Sequence, residues 1–417
     1  MPERWIVISL DALANLALGP YGSSWNSTPN LDRLAAQATT WDRVIVPSDD
    51  PSETLQRCWT ADVDGESWVQ RCRRHGRVEL FALRDLAHPE RADHVATIAT
   101  QAGFDACTLV DWQVVDQPAD EVESTAFAHL AMTLLERLQP ALDEPVAAGH
   151  TPDWSVLWLH SDFLARHWDA PRWLFPVQDL DEDDEPIDPS DPEHWDDGGE
   201  EPGETLDTPP PLQDTTQPPR YQIAVDDHPD WVTSWMQTYG CQVRLVDHVV
   251  QWIQELAGQL DPNIGIAVIG TSGMSLGQNG WIGHGAGPLR SPQIQVPLIL
   301  HAPGQPPLRW PELIALPSAF SYLLPGAQQP SAAVWASLTD SPPPGSDAAL
   351  AAEYTPQVVT RSPRAAQVVT TPQWFLVRDR DEQAALFLKP DDRDDVNDVA
   401  SRCREVIEQL ENRPPSD

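Results

Sequence analysis

The run WIVISL (5–10) is almost uninterrupted in its apolar character and stops abruptly at Asp11. A strand with one wet face alternates apolar and polar residues. A run without alternation fits a strand buried on both faces, as in a parallel sheet covered by helices. WSVLWLH (154–160) and IGIAVIG (264–270) repeat the pattern, the latter ending at Thr271. VPLILHAP reads as a further strand closed by Pro303 and Gly304. DRVIVP reads as another that runs into a polar loop, SDDPSE. From Arg74 to Gln139, short apolar runs (VELFAL, ACTLVD) alternate with helical stretches (HVATIATQA, TAFAHLAMTLLERL), the βα rhythm of a parallel sheet.

Two further helices are written clearly. In TPNLDRLAAQA, Thr28 is a good N-cap and Pro29 suits the first helical position. In SWMQTYGCQVRLVDHVVQWIQELAGQL, Val243, Val246, Val250, Ile253 and Leu256 form one apolar stripe, which leaves Asp247 as a structural hydrogen-bonding residue. The tail segments QVVTTPQWFLVRD and AALFLKP resemble strands of a small antiparallel sheet, followed by a helix over 397–410. The expected architecture is therefore an α/β/α sandwich with a mostly parallel central sheet and a small C-terminal antiparallel subdomain. The main domain is expected over residues 1–320 and the subdomain over 321–417.

The segment from Asp179 to Arg220 is rich in Asp, Glu and Pro and cannot build a core, so it reads as an extended, solvated insertion. Over all 417 residues the net charge is -38. Such a surface repels phosphate backbones and anionic lipid headgroups, which argues against nucleic-acid and membrane partners. The start lacks a signal-peptide pattern, and no segment is long and apolar enough to span a bilayer. Five scattered cysteines without CxxC spacing favour a reducing, cytoplasmic setting over a disulfide framework or a zinc site.

The landmarks Asp11, TPNLDRLA, DDPSE, YGCQVRLVD, IGIAVIG–TSGMSLGQNGWIGHG, VPLILHAPG and LFLKPDDRDDVNDV follow one another in an order that resembles the sulfatase family of the alkaline-phosphatase superfamily. The resemblance implies a calcium or magnesium ion beyond the carboxyl ends of the strands. It also implies two adjacent metal-binding Asp after the first strand, an Asp-His or Asp-Asn pair after a later one, and a nucleophile motif C/S-x-P-S-R matured to formylglycine. This chain departs from that pattern. Asp11 matches the first metal Asp, but Ala12 follows it. In DDPSE, Asp49 stands at the nucleophile position and Glu53 at the arginine. Thr271 and Ser272 replace the later metal pair, while Gly273 is kept. Asp11, Asp49 and Thr271 are the residual metal candidates. His284 in WIGHG and His167 in HWDAP are the remaining candidates for a polar catalytic role.

Each has an ordinary reading beside the functional one. Asp11 could cap a helix, Asp49 could be a solvated loop acid rather than a nucleophile, and His284 could belong to turn chemistry. His167 and Trp168 could be packing residues. Trp154, Trp158, Trp168 and Trp173 could form a sugar-stacking wall or ordinary core. The alignment expects Asp11, Asp49, Thr271 and Ser272 to converge at the carboxyl end of the sheet. The leading functional expectation is a noncatalytic sulfatase-fold protein acting as a binding or regulatory partner, with a protein or a sulfated small molecule as its ligand. No cofactor is expected, or calcium or magnesium if the residual acids bind a cation. The alternatives are a sulfuric or phosphoric ester hydrolase with altered ligands, and an interaction protein that works through its acidic loop.

Overall fold

The computed structural model describes residues 2–143, 153–176, 209–326 and 357–412. Its centre is a nine-stranded mixed sheet. The strands are β1 (Trp5–Leu10), β2 (Thr39–Ile45), β3 (Arg77–Asp85), β4 (Ala106–Trp112), β5 (Trp154–Ser161), β6 (Gly265–Gly270), β7 (Gln295–Val296), β8 (Leu298–His301) and β9 (Leu308–Ala315). They lie in the order β7-β2-β8-β6-β1-β5-β3-β4, with β9 also paired to β2. The three apolar runs are direct neighbours: β1 pairs in parallel with β5 on one side and β6 on the other. The β8 strand runs antiparallel between β6 and β2.

Both faces of these strands are dry, which is why the sequence does not alternate. Ile6, Ile8, Leu157, Leu159, Ile266 and Val268 belong to one core, and Trp5, Val7, Val156, Trp158, Ala267 and Ile269 to the other. The first core is covered by α1 (Pro29–Ala35) and by the long helices over 126–143 and Asp230–Leu260. Asp247, on the long Asp230–Leu260 helix, accepts hydrogen bonds from the backbone N–H of Asn30 (3.0 Å) and Leu31 (2.7 Å). It thus satisfies the open N-terminus of α1 from another helix. Thr28 stands at the N-cap position, but its side chain makes no capping bond; its hydroxyl accepts from Gly19 N–H at 2.9 Å instead.

A second sheet of four antiparallel strands spans Val358–Val359, Ala365–Thr370, Trp374–Asp379 and Ala384–Leu388. Here alternation returns. Val368, Phe375, Val377 and Phe387 join the second core of the main body. Val369, Leu376 and Leu386 face away and pack with Ile407 and Leu410 of the terminal helix Arg404–Glu411. That helix is shorter than the 397–410 read from sequence.

Two local expectations need correction. The segment SDDPSE is not all loop: a helix, α2, begins at Pro51 and runs to Trp59, and Asp50 caps it by accepting from Ser52 N–H at 2.9 Å. The insertion over 179–220 is not extended throughout. Most of it lies outside the described residues, but 209–220 is packed. Gln213 and Thr216 are buried, and Arg172 donates to the carbonyls of Gln213 (2.7 Å) and Thr215 (2.8 Å). No helix among the described residues is long and apolar enough to cross a membrane.

Candidate functional site

In an open α/β sheet, ligands bind beyond the carboxyl ends of the strands. A cleft of about 310 Å³ lies there, lined by Asp11, Asp50, Arg91, His94, His160, Asp162, Arg166 and His284 among others. Asp11 follows β1, where its N–H donates to Ser161 O at 3.1 Å, so β1 and β5 jointly fix it. Thr271, at the end of β6, donates its hydroxyl to Asp11 Oδ1. Ser272 Oγ accepts from Ala12 N–H at 2.9 Å. Ala12 has a left-handed backbone, φ 59°, which costs a non-glycine residue about 1–2 kcal/mol. The Ser272 bond holds that conformation, as does Tyr239, whose hydroxyl donates to Ala12 O at 2.7 Å. Asp11 therefore caps no helix.

His160 is buried beside this group. Its Nδ1 lies 3.0 Å from Ser9 Oγ, which also accepts from Trp158 Nε1 at 2.7 Å. This turns Nε2 toward Asp11 Oδ1, 4.0 Å away. Burial pushes the Asp11 carboxyl up to about 7, against the Thr271 hydrogen bond and with the Asp50 charge adding to the rise. Desolvation lifts Asp162 to about 6, helped by Asp11 and opposed by His160 and Arg91. Desolvation also lowers His160 to about 4. Asp162 is salt-bridged by Arg166 at 2.9 Å.

The α2 flank next to the cleft is built differently. Asp49 is not among the cleft-lining residues. Its Oδ2 accepts from Ser362 Oγ (2.7 Å) and Arg364 Nε (3.0 Å), both from the chain entering the C-terminal sheet. Glu53 accepts from Ser48 Oγ at 2.9 Å and pairs with Arg57 at 2.8 Å and Arg361 at 3.5 Å. Desolvation pushes its carboxyl up, but these partners outweigh it and hold the group below its usual range. The convergence expected from the alignment is thus partial: Thr271 and Ser272 meet the Asp11–Ala12 corner, and Asp50 rather than Asp49 shares the cleft with Asp11.

His284 lines the cleft with its Nδ1 3.2 Å from Gly273 O, and burial lowers its pKa. His167 is not among the cleft-lining residues. It is buried next to Asp169, with Nε2 3.6 Å from Oδ2, and desolvation lowers it to about 4. Trp154, Trp158 and Trp168 are core residues, and only Trp173 is exposed, so the four form no continuous wall. Sequence reasoning missed His160, Asp162, His94, Arg91 and Arg166 in the cleft, and Arg361 and Arg364 behind it. The signal for the first two was available: polar HSD closing an otherwise apolar strand at its carboxyl end.

The donor set does not fit the calcium or magnesium ion that the resemblance implies. Such ions take roughly six to eight oxygen ligands, mostly carboxylates, in the case of calcium, and six in the case of magnesium. Asp11 is engaged by Thr271, Ser272 is engaged by Ala12, and Asp49 is held by Ser362 and Arg364. Among the described residues, no group of three or more His, Cys, Asp or Glu is placed to hold a metal ion.

The sequence matches no family model and no curated protein. Solved structures do match. Ps i-CgsB, in complex with k-i-k-neocarrahexaose, superposes with a TM-score of 0.61 at 13% identity over 98% of this chain and 91% of its own. The phosphonate monoester hydrolase of Agrobacterium radiobacter gives 0.61 at 13% identity over 99% and 94%. BT4656, in complex with its substrate D-glucosamine-2-N,6-O-disulfate, gives 0.58 at 13% identity over 99% and 96%. With a mixed, mostly parallel sheet, a four-stranded C-terminal sheet and these near-complete superpositions, the chain has the fold of the sulfatase and alkaline-phosphatase superfamily.

Proposed function

We propose that this chain is a noncatalytic sulfatase-fold protein that binds a small ligand or a partner at its carboxyl-end cleft. The observation that carries this reading is the state of Asp11. The one acid retained at the first metal position is buried and engaged by the Thr271 hydroxyl, and among the described residues no group of three or more His, Cys, Asp or Glu is placed to hold a cation. The family reaction needs a cation to hold and polarise the ester, and positive charge around it. Asp49 at the nucleophile position offers no convertible side chain, and its carboxylate is tied to Arg364. The sugars named with two of the similar structures, one of them a disulfate, suggest an ester-bearing sugar as the ligand class. The scattered cysteines favour a reducing compartment as its setting.

The test combines elemental analysis of the purified chain with turnover of 4-nitrophenyl sulfate, 4-nitrophenyl phosphate and a phenylphosphonate monoester between pH 5 and pH 9. The expected result is no stoichiometric calcium or magnesium and turnover at background. Turnover abolished by a chelator or by Asp49→Ala would overturn the reading in favour of a hydrolase with altered ligands.

A second reading rests on Asp11 and Asp162, whose pKa values near 7 and 6 suit proton transfer at neutral pH. It requires chelator-resistant turnover that Asp11→Asn and Asp162→Asn each abolish.

A further inference from the structure

Across the chain, 64 acids face 26 Lys and Arg. Yet four cations meet at one depression of about 300 Å³ between β2, β9 and the loop that follows Leu388: Arg43, Arg309, Arg393 and Lys389. Lys389 is the only lysine in the sequence. Asp42 is the one carboxylate among the lining residues. This depression is separate from the carboxyl-end cleft and shares no lining residue with it.

Two of the cations have ionic partners. Arg309 pairs with Asp42 at 2.7 Å. Lys389 Nζ is buried, bonded to Asp395 at 2.5 Å and to the carbonyls of Asp392 and Arg393, so its three donors are all engaged. The other two cations meet neutral acceptors. Arg43 donates to the carbonyls of Pro372 (2.6 Å) and Thr371 (2.9 Å), with Glu312 acting on it through space. Arg393 reaches Tyr21 O at 3.5 Å, too long for a strong bond. Of the acids beside Arg393 in sequence, Asp392 caps the N–H groups of Val396 and Asn397, and Asp394 lines a neighbouring depression that Arg393 also borders.

Arg43 is half-buried and Arg393 is exposed, and both border the same depression. An oxyanion between them can accept from both guanidinium forks. The position, at the junction of the main body and the C-terminal subdomain, is one where ligand sites concentrate. We propose that this depression binds a phosphate- or sulfate-type oxyanion, free or carried on a small ester. Arg43 and Arg393 are the recognising forks, and Lys389 braces the loop that presents Arg393.

Calorimetric titration of the full chain at low ionic strength with inorganic phosphate, inorganic sulfate, phenyl phosphate and acetate tests this. Arg393→Gln removes one long contact and leaves the fold intact by circular dichroism. Arg91→Gln removes a cation from the carboxyl-end cleft and serves as the control. The expected result is saturable binding of phosphate or sulfate, with acetate weaker. Arg393→Gln weakens that binding by about tenfold, the loss of one charge-assisted hydrogen bond, while Arg91→Gln leaves it unchanged. Phenyl phosphate binding more tightly than phosphate assigns the site to an ester, and equal affinity assigns it to the free anion. No saturable binding by either inorganic anion overturns the proposal. So does binding that survives Arg393→Gln, or binding lost in Arg91→Gln instead. The catalytic status of the other cleft does not enter these outcomes.

Discussion

The carboxyl-end cleft and the α2 flank behind it hold their acids by opposite means. On the β1 side, burial dominates the upward shifts of Asp11 and Asp162, with the Asp50 charge adding to the first and the Asp11 charge to the second. On the α2 flank, Asp49 and Glu53 are met by Arg364 and Arg361, which come from more than three hundred residues further along the chain. At the motif level, Asp49 and Glu53 look like a charge reversal that would repel any anion. In the fold, each is an ion-paired side chain. The lesson is that losing an arginine at one motif position says little about the field at that position, because the compensating charge can arrive from another element.

This contrast can be broken or sharpened by experiment. The largest effect is expected on the β1 side. Asp11 binds its proton more tightly folded than unfolded, with a carboxyl raised from 3.8 to about 7. Its contribution to stability is therefore fully present below about pH 4 and lost as pH rises through about 7. At about 1.4 kcal/mol per pH unit, that loss is of order 4 kcal/mol. Asp11→Asn keeps an acceptor for Thr271 and removes the charge. It should be more stable than the parent at pH 8 by an amount approaching that figure, and nearly equal at pH 4, by urea denaturation at both. His160, lowered to about 4, contributes with the opposite sign, its favourable term being lost as pH falls from about 6.5 toward 4. The parent's own profile is therefore flattened, and the difference between variant and parent is the informative quantity. A difference that does not change with pH would mean Asp11 is ionised in the fold.

A smaller effect is expected from the best pair on the α2 flank. Asp49 is almost fully buried (6% exposed) and Arg364 is a quarter exposed, at 3.0 Å. A double-mutant cycle with Asp49→Asn and Arg364→Gln should give a coupling of about 1–3 kcal/mol. The smallest is Glu53 with Arg361, at 3.5 Å and with Arg361 70% exposed. Its coupling should stay below about 1 kcal/mol and fade with added salt. Equal couplings for the two pairs would remove the distinction between a built ion pair and a surface one.

Much of this architecture was legible before the fold was seen. Continuous apolar runs announced β1, β5 and β6 because both faces of those strands are dry, and Asp247 announced itself as a polar residue that needed partners on an apolar stripe. The DDPSE segment was misread because Asp and Pro serve turns and helix starts alike. Only Leu55, Cys58 and Trp59, buried one turn further on, separate the two cases. His160 stands with Ser161 and Asp162 at the carboxyl end of an apolar run, where its polar character is legible but its nearness to Asp11 is set only by the neighbouring strand.

The sequence by itself determined the strands, the burial of both sheet faces, the shared order of landmarks and the absence of paired metal carboxylates at Ala12 and Thr271. Those features depend on residue type and on periodicities of two to four residues along the chain. Only the tertiary structure decided that Asp50 faces Asp11 while Asp49 turns to Arg364, that Asp162 shares the cleft, and that Arg43, Arg309, Lys389 and Arg393 meet in one depression. Ion pairing and desolvation act through space over a few ångströms, and spacing along the chain carries no record of which distant charges the packing will bring within that range.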